Sequence, residues 1–210
     1  MVDSENLIML FIGLEIGSIS LYALAGLNRV DKLSNEASLK YFLLGSLASC
    51  IFIYGVSLVY VSFSVLSVYD FATGVGFVGA ESVPLTTKLG VILIFIGLLF
   101  KIAAAPFQSW APDVYQGSPT GYVGYMASIA KASAFIVIAR LCQVSLRFMP
   151  NEFDSFFLFV VILSVVIGSI FASVQDDLKR LLAYSGVVQS GFILSGIVSG
   201  INGTSASMFY

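Results

Sequence analysis

Six apolar stretches of about 20 residues recur along the chain, each long enough as a helix to cross a hydrocarbon layer of about 30 Å. Lipid offers no partner to a backbone N–H or C=O, and a helix satisfies both within one segment. The pattern therefore predicts an all-α fold, a polytopic transmembrane helix bundle with about six crossings, as a single membrane domain over residues 1–210. The stretches run from about Leu7 to Leu27, Tyr41 to Phe63, Leu89 to Phe107, Tyr122 to Leu141, Phe156 to Val174 and Leu181 to Ile201. Arg29, Asp31, Lys32 and Glu36 read as a short polar loop, and Ser64 to Lys88 as a longer linker rich in Gly and Ser. Arg147, Pro150, Glu152 and Asp154 mark the next loop, and Gln175 to Arg180 reads as a tight charged turn. The final SASMFY reads as the start of another apolar run, and few residues precede the first helix, so both ends read as truncated.

Only 10% of the residues are charged and 58% are hydrophobic, against roughly a quarter charged in a soluble domain. The net charge of −2 gives no reason to expect a nucleic-acid partner; the partner such a surface fits is the lipid bilayer. There is no histidine and no Cys-x-x-Cys, so iron–sulfur, haem and zinc sites lack obvious ligands, and no metal site is expected. No glycine-rich nucleotide fingerprint follows a strand, so no cofactor is expected in this chain. Cys50 and Cys142 lie in or beside apolar segments and read as packing residues rather than a disulfide. Asp3 and Glu5 precede the first stretch without a cation, which is the wrong start for a signal peptide.

One segment departs from simple membrane-helix composition: FKIAAAPFQSWAPDVYQGSPT, from Phe100 to Thr120. Lys101 stands in its apolar part, and Pro106, Pro112 and Pro119 then interrupt the helix, each lacking an N–H and clashing one turn back. Trp110, the only tryptophan, and Asp113 lie between them. A broken backbone beside a charge is tolerated at membrane depth only where protein or a water-filled cavity surrounds it. Glu15 and Lys131 are the other ionisable residues inside apolar stretches. Each such charge costs at least about 2.5–3.5 kcal/mol at a helix centre on insertion scales. All three are expected near their helix midpoints and at similar depth.

Small neighbours accompany them: Gly97, Ala104 and Ala105 near Lys101, Ala127, Ser128 and Ala134 near Lys131, and Ser18 near Glu15. Small residues leave room for another helix or for water. A proton path through Glu15, Lys101 and Lys131 is one reading, and a structural Glu–Lys pair that only fixes packing is the other. Asp113 reads as a helix cap, Arg180 as an interfacial anchor, and Gln189 as a group that orients water or bonds a neighbouring helix.

Three segments carry a resemblance: GLEIGSISLYALAG, LLFKIAAAPFQSWAPDVYQGSPT and DDLKRLLAYSGVVQSGFILSG. Together they resemble the antiporter-like membrane subunits of respiratory complex I. The likeness covers essentially the whole chain, and the middle segment is the most specific. It implies a partial chain from a family with inverted helical repeats, in which Glu15, Lys101 and Lys131 form the inner part of a proton path. It also implies a non-redox part of a proton-translocating NADH:quinone oxidoreductase, multi-pass in the cell inner (plasma) membrane, beside other membrane subunits. Quinone and NADH would be used by the whole complex and not by this chain. Gln108 and Gln189 stand where many relatives have histidine, so the path would rest on Lys, Glu and water. A subunit of a multi-subunit sodium/proton antiporter or membrane hydrogenase shares the proline-rich stretch, but APDVYQGSP favours the first reading. Outside transport, the alternative is a structural membrane scaffold.

Arg29, Lys32, Lys40, Lys179 and Arg180 fall on one side of the crossings, and Lys88, Arg140 and Arg147 on the other. The excess of cations places the first side in the cytoplasm. A single cysteine at Asp177 should then resist an impermeant reagent added to intact cells and react in inverted vesicles. Labelling from outside would reverse the orientation.

Overall fold

The computed structural model describes residues 3–79, 82–144 and 150–210. Among these the chain is helical, and its only extended pairing is an isolated bridge between Asn6 and Ser67. Helix α1 (Leu7–Ala25) begins where the Asn6 side chain accepts the Ile8 N–H at 2.8 Å. Helix α2 (Lys32–Phe63) begins at Asp31, whose carboxylate accepts the Leu33 N–H at 3.0 Å. Lys32 and Glu36 thus belong to its first turns and not to a loop. With 32 residues α2 is about 48 Å long at 1.5 Å per residue, well beyond the hydrocarbon thickness. Hydropathy marks where a helix enters lipid, and α2 starts earlier than that.

The linker after α2 contains helix α3 (Val68–Val78), which the Gly and Ser content concealed. Val68, Phe71, Ala72 and Val75 recur with helical spacing and are buried, and the Ser67 hydroxyl accepts the Asp70 N–H at 3.3 Å. At 11 residues α3 is too short to cross a bilayer. Helix α4 (Leu85–Lys101) follows, then a break, then helix α5 (Trp110–Gly117). Lys101 is the last residue of α4, so the expectation that it lies near a helix midpoint is corrected: the chain leaves helical geometry before Pro106. The fourth crossing is a composite rod of α6 (Thr120–Tyr125), a π-helical turn (Met126–Ala130) and α7 (Lys131–Val144).

Helices α8 (Pro150–Ser173), α9 (Leu178–Val198) and α10 (Ile201–Phe209) complete the described chain. Asp177 caps α9 by accepting the Arg180 N–H at 3.0 Å, so Lys179 and Arg180 stand in its first turn and not in a loop. Among the described residues, five helical spans are long and apolar enough to cross a membrane: Leu7–Ala25, Lys32–Phe63, Thr120–Val144, Phe153–Ser173 and Leu178–Val198. The 17-residue α4 with the break and α5 supplies the sixth crossing in two pieces.

Helix α2 packs against α4, α1 and α5, and α8 against α9. Lipid provides no hydrophobic drive between helices, so close backbone approach carries the contact. Where α2 crosses α4, a Cβ on Gly55 would lie 2.6 Å from the Gly90 carbonyl, and one on Gly90 would lie 2.8 Å from the Gly55 carbonyl. Ile16, Ile19, Phe159 and Ile170 point outward, as lipid-facing residues do. Cys50 is exposed and Cys142 half-buried; both are free, so Cys50 is not a packing residue. Arg147 lies outside the described residues.

Gly90→Val should hold α2 and α4 apart and destabilise the bundle by about 1–3 kcal/mol, as overpacking does. The check is the thermal midpoint of the detergent-solubilised protein. An unchanged midpoint would mean the two helices have slack that this geometry lacks.

Candidate functional site

The site begins with the backbone of the break. From Ile102 to Ala105 every residue is fully buried, so its N–H and C=O groups need partners from protein. Ala103 turns the chain with φ 57°, and Ala105–Pro106 is a cis peptide. The Phe100 carbonyl, at the end of α4, accepts the Trp110 Nε1–H at 3.0 Å and the Ala103 N–H at 3.0 Å. Ser190 of α9 donates to the Ile102 carbonyl at 2.9 Å. Ser164 of α8 accepts the Ala105 N–H at 2.9 Å. A hydroxyl in each of two neighbouring helices thus replaces what the missing helical turn would have supplied. Trp110 stacks on Phe100 and on Tyr41 of α2, with ring centroids 5.4 and 4.6 Å apart, and this fixes where α5 starts.

Lys101 projects from this break toward α1. Its Nζ lies 3.6 Å from Glu15 Oε1, donates to Ser18 Oγ at 2.7 Å and lies 3.4 Å from the Tyr22 hydroxyl. Ser18 donates its own hydroxyl hydrogen bond to the Leu14 carbonyl at 2.7 Å, so its oxygen is free to accept from the lysine. Ser49 of α2 donates to Glu15 Oε1. The Lys101 and Glu15 side chains are 10% and 22% exposed, so neither is fully sealed from exchange with water. Tyr22 reaches the pair because Gly45 of α2 has no side chain: a Cβ there would lie 2.7 Å from the Tyr22 Cζ.

Lys131 lies apart from this pair. It is buried, at 6% exposure, and follows the π turn, whose one extra residue rotates the succeeding face by about 100°. Its Nζ donates to the Gly186 carbonyl of α9 at 3.3 Å, and among the described residues it forms no ion pair. It lines a cavity of about 580 Å³ with Tyr115, Gln189 and Ser190. The Tyr115 hydroxyl is buried without a hydrogen-bond partner, which is the kind of group a bound water satisfies.

Asp113 is not the helix cap read from sequence. Ser109 holds that position without a side-chain cap bond, and Asp113 pairs with Lys40 of α2 at 2.7 Å and Arg180 of α9 at 2.8 Å. The hydrogen bonds from Lys40 and Arg180 satisfy both oxygens of the Asp113 carboxylate. Arg180 also donates to Gln116 at 3.1 Å and to Gln175 at 3.0 Å, so it is a tie between α5 and α9 rather than a mere interfacial anchor. These partly exposed pairs are each worth at most about 1 kcal/mol, and their effect is to orient α5.

Sequence reading found the ionisable residues and Ser18. It missed Tyr22, Ser49, Ser164 and Ser190, whose signal is only a hydroxyl in the middle of an apolar run.

Residues 4–210 match the family described as NADH:quinone oxidoreductase/Mrp antiporter, TM. The chain belongs to this family. Within the family it is 38% identical, over its whole length, to NADH-quinone oxidoreductase subunit N of Hydrogenovibrio crunogenus, and 43% identical to subunit N of a Parafrankia species. It spans 44% and 40% of the lengths of those two relatives. Among solved family structures, one of respiratory complex I from Thermus thermophilus with bound aureothin matches 95% of this chain and 42% of its own, at TM-score 0.79 and 37% identity. One of the archaeal membrane-bound sulfane sulfur reductase matches 98% of this chain and 42% of its own, at TM-score 0.85 and 28% identity. The Mrp complex of a Dietzia strain, at 23% identity and TM-score 0.87 over 98% of this chain and 38% of its own, shares the fold. The chain is therefore a multi-pass membrane protein of the antiporter-like kind, similar to subunit N of NADH-quinone oxidoreductases.

Ser164→Ala leaves the buried Ala105 N–H without an acceptor and should cost about 1–3 kcal/mol of stability. Ser169→Ala, on the exposed face of the same helix, should cost far less. Comparing the two thermal midpoints tests this, and equal midpoints would show that the break does not depend on Ser164.

Proposed function

We propose that this chain is a non-redox, proton-translocating membrane part of an NADH:quinone oxidoreductase. Protons move through Glu15, Lys101, Lys131 and intervening water, driven by quinone reduction elsewhere in the complex. The observation that carries this reading is the Lys101–Glu15 pair, 3.6 Å apart and largely buried at a break in the helix. A buried charge is costly, and two opposite charges at this distance attract each other. A change of charge on Lys101 is therefore felt at Glu15.

Ser18 and Tyr22 hold the ammonium, and Ser49 holds the carboxylate. Neither charge has to reorganise much when the proton count changes. Lys131, in its own cavity, is the next station. NADH and quinone are bound by other subunits, and this chain contributes no redox group. The relatives called subunit N, at 38–43% identity, support this assignment over a sodium/proton antiporter; the Mrp complex matches at 23% identity. The proposed setting is the inner membrane, with the neighbouring membrane subunits as partners.

In the full-length complex, Glu15→Gln and Lys101→Met should each cut proton pumping strongly while leaving the complex assembled. The double variant should be little worse than either. Losses that add in log rate would show that the two residues do not sense each other. Normal pumping by Lys101→Met would make the pair a packing device and the chain a scaffold.

A further inference from the structure

Two features described above meet at one side chain. Ser190 lines the Lys131 cavity, and its Oγ lies 2.8 Å from the Gly186 carbonyl and 2.9 Å from the Ile102 carbonyl. Gly186 is four residues earlier on the same helix, an ordinary back-bond for a helical serine. Ile102 is on the break, immediately after Lys101. A hydroxyl carries one proton, so Ser190 serves one carbonyl at a time. The Gly186 carbonyl is also where Lys131 donates, at 3.3 Å.

We infer that Ser190 is a positioning residue that links the charge on Lys131 to the backbone of the break beside Lys101. The inference rests on the proposed proton-carrying role of Lys131. An ammonium donating to the Gly186 carbonyl draws on its electron density and repels the hydrogen of a second donor there. With Lys131 charged, the Ser190 proton turns to Ile102 and keeps the break closed. With Lys131 neutral, the amine is a weaker donor, Gly186 recovers as an acceptor, and the Ser190 proton is released from Ile102. Both oxygens are already within bonding distance, so the change is a rotation about one C–O bond and needs no helix movement.

The consequence falls on the Ile102 carbonyl. Ile102 is fully buried, and Ser190 is the donor recorded for it among the described residues. Losing that donor leaves the carbonyl free to take a water beside Lys101. The other titratable groups lining the Lys131 cavity are Tyr115 of α5 and Tyr210, and Glu15 is the carboxylate that faces Lys101 across the break. Ser190 lines the cavity and hydrogen-bonds the break.

The test uses the full-length complex in inverted membrane vesicles, with assembly, quinone reduction in the presence of uncoupler, and protons pumped per turnover measured together. Ser190→Ala should leave the first two unchanged and lower pumping roughly fivefold or more, the low end of ordinary coupling between two sites. Ser190→Thr, which keeps the hydroxyl, should restore most of it. Ser190→Ala combined with Lys131→Ala should pump no less than Lys131→Ala alone. Normal pumping by Ser190→Ala, or losses additive in log rate with Lys131→Ala, overturns the inference. Should Ser190→Ala fail to assemble, Ser190→Cys keeps the volume with a weaker donor, and normal pumping by that variant overturns it equally. If Lys131→Ala itself pumps normally, the proposed proton path fails and this inference with it. If Lys131→Ala is impaired and Ser190→Ala is not, only the link through Ser190 is lost.

Discussion

Everything at the centre of this bundle depends on satisfying a few peptide groups that have left their helix. A membrane interior offers no water to exposed backbone, so a break there persists only where neighbours supply the missing hydrogen bonds. Trp110 covers the Phe100 carbonyl, Ser190 the Ile102 carbonyl and Ser164 the Ala105 N–H. Those three partners come from α5, α9 and α8, and so the break fixes the mutual placement of three helices. The buried charges inherit that placement. Lys101 reaches Glu15 because α4 stops at Lys101, and Ser190 lines the Lys131 cavity because it has already been drawn to the break.

The chain treats its charges in two ways. Inside the bundle, Glu15 and Lys101 are given hydroxyl partners from Ser18, Ser49 and Tyr22, groups that accept or donate without adding charge. At one end of the bundle, Lys40, Asp113 and Arg180 instead satisfy one another, with glutamine side chains filling the remaining positions. The first arrangement holds its two charges with neutral hydroxyls and brings no further charge to the site. The second fixes α5 against α2 and α9 whatever happens at the first.

Much of the architecture was legible because lipid imposes a length on apolar runs. The six crossings and the break after Phe100 follow from composition and from the prolines at 106, 112 and 119. The errors have physical causes. Helix α2 begins at Lys32 because a helix does not end where the hydrocarbon ends, and hydropathy reports only the latter. Helix α3 was hidden by glycines and serines that lie around its buried stripe of Val68, Phe71, Ala72 and Val75. A helix read as far as Pro106 puts Lys101 near its middle, whereas the chain turns at Ala103. Of the site, the charged members were legible because charge is rare in such a sequence. The serines and Tyr22 were not, since a hydroxyl in an apolar helix most often bonds its own backbone, and only the fold shows which ones face a neighbour.

The length of α2 sets the two groups of charges in different media. Its surplus beyond the hydrocarbon carries Lys40 toward the headgroups, and the clamp on Asp113 forms there, partly exposed. Charges in that zone are screened over about 8 Å at physiological ionic strength, whereas a pair within the bundle is screened much less. Dissolved salt therefore acts on the grip that α2 and α9 have on α5 and leaves Glu15 and Lys101 nearly untouched. The stiffness of the broken helix and the electrostatics of its buried lysine answer to separate variables, the ionic composition of the aqueous phase for one and the hydration of the interior for the other.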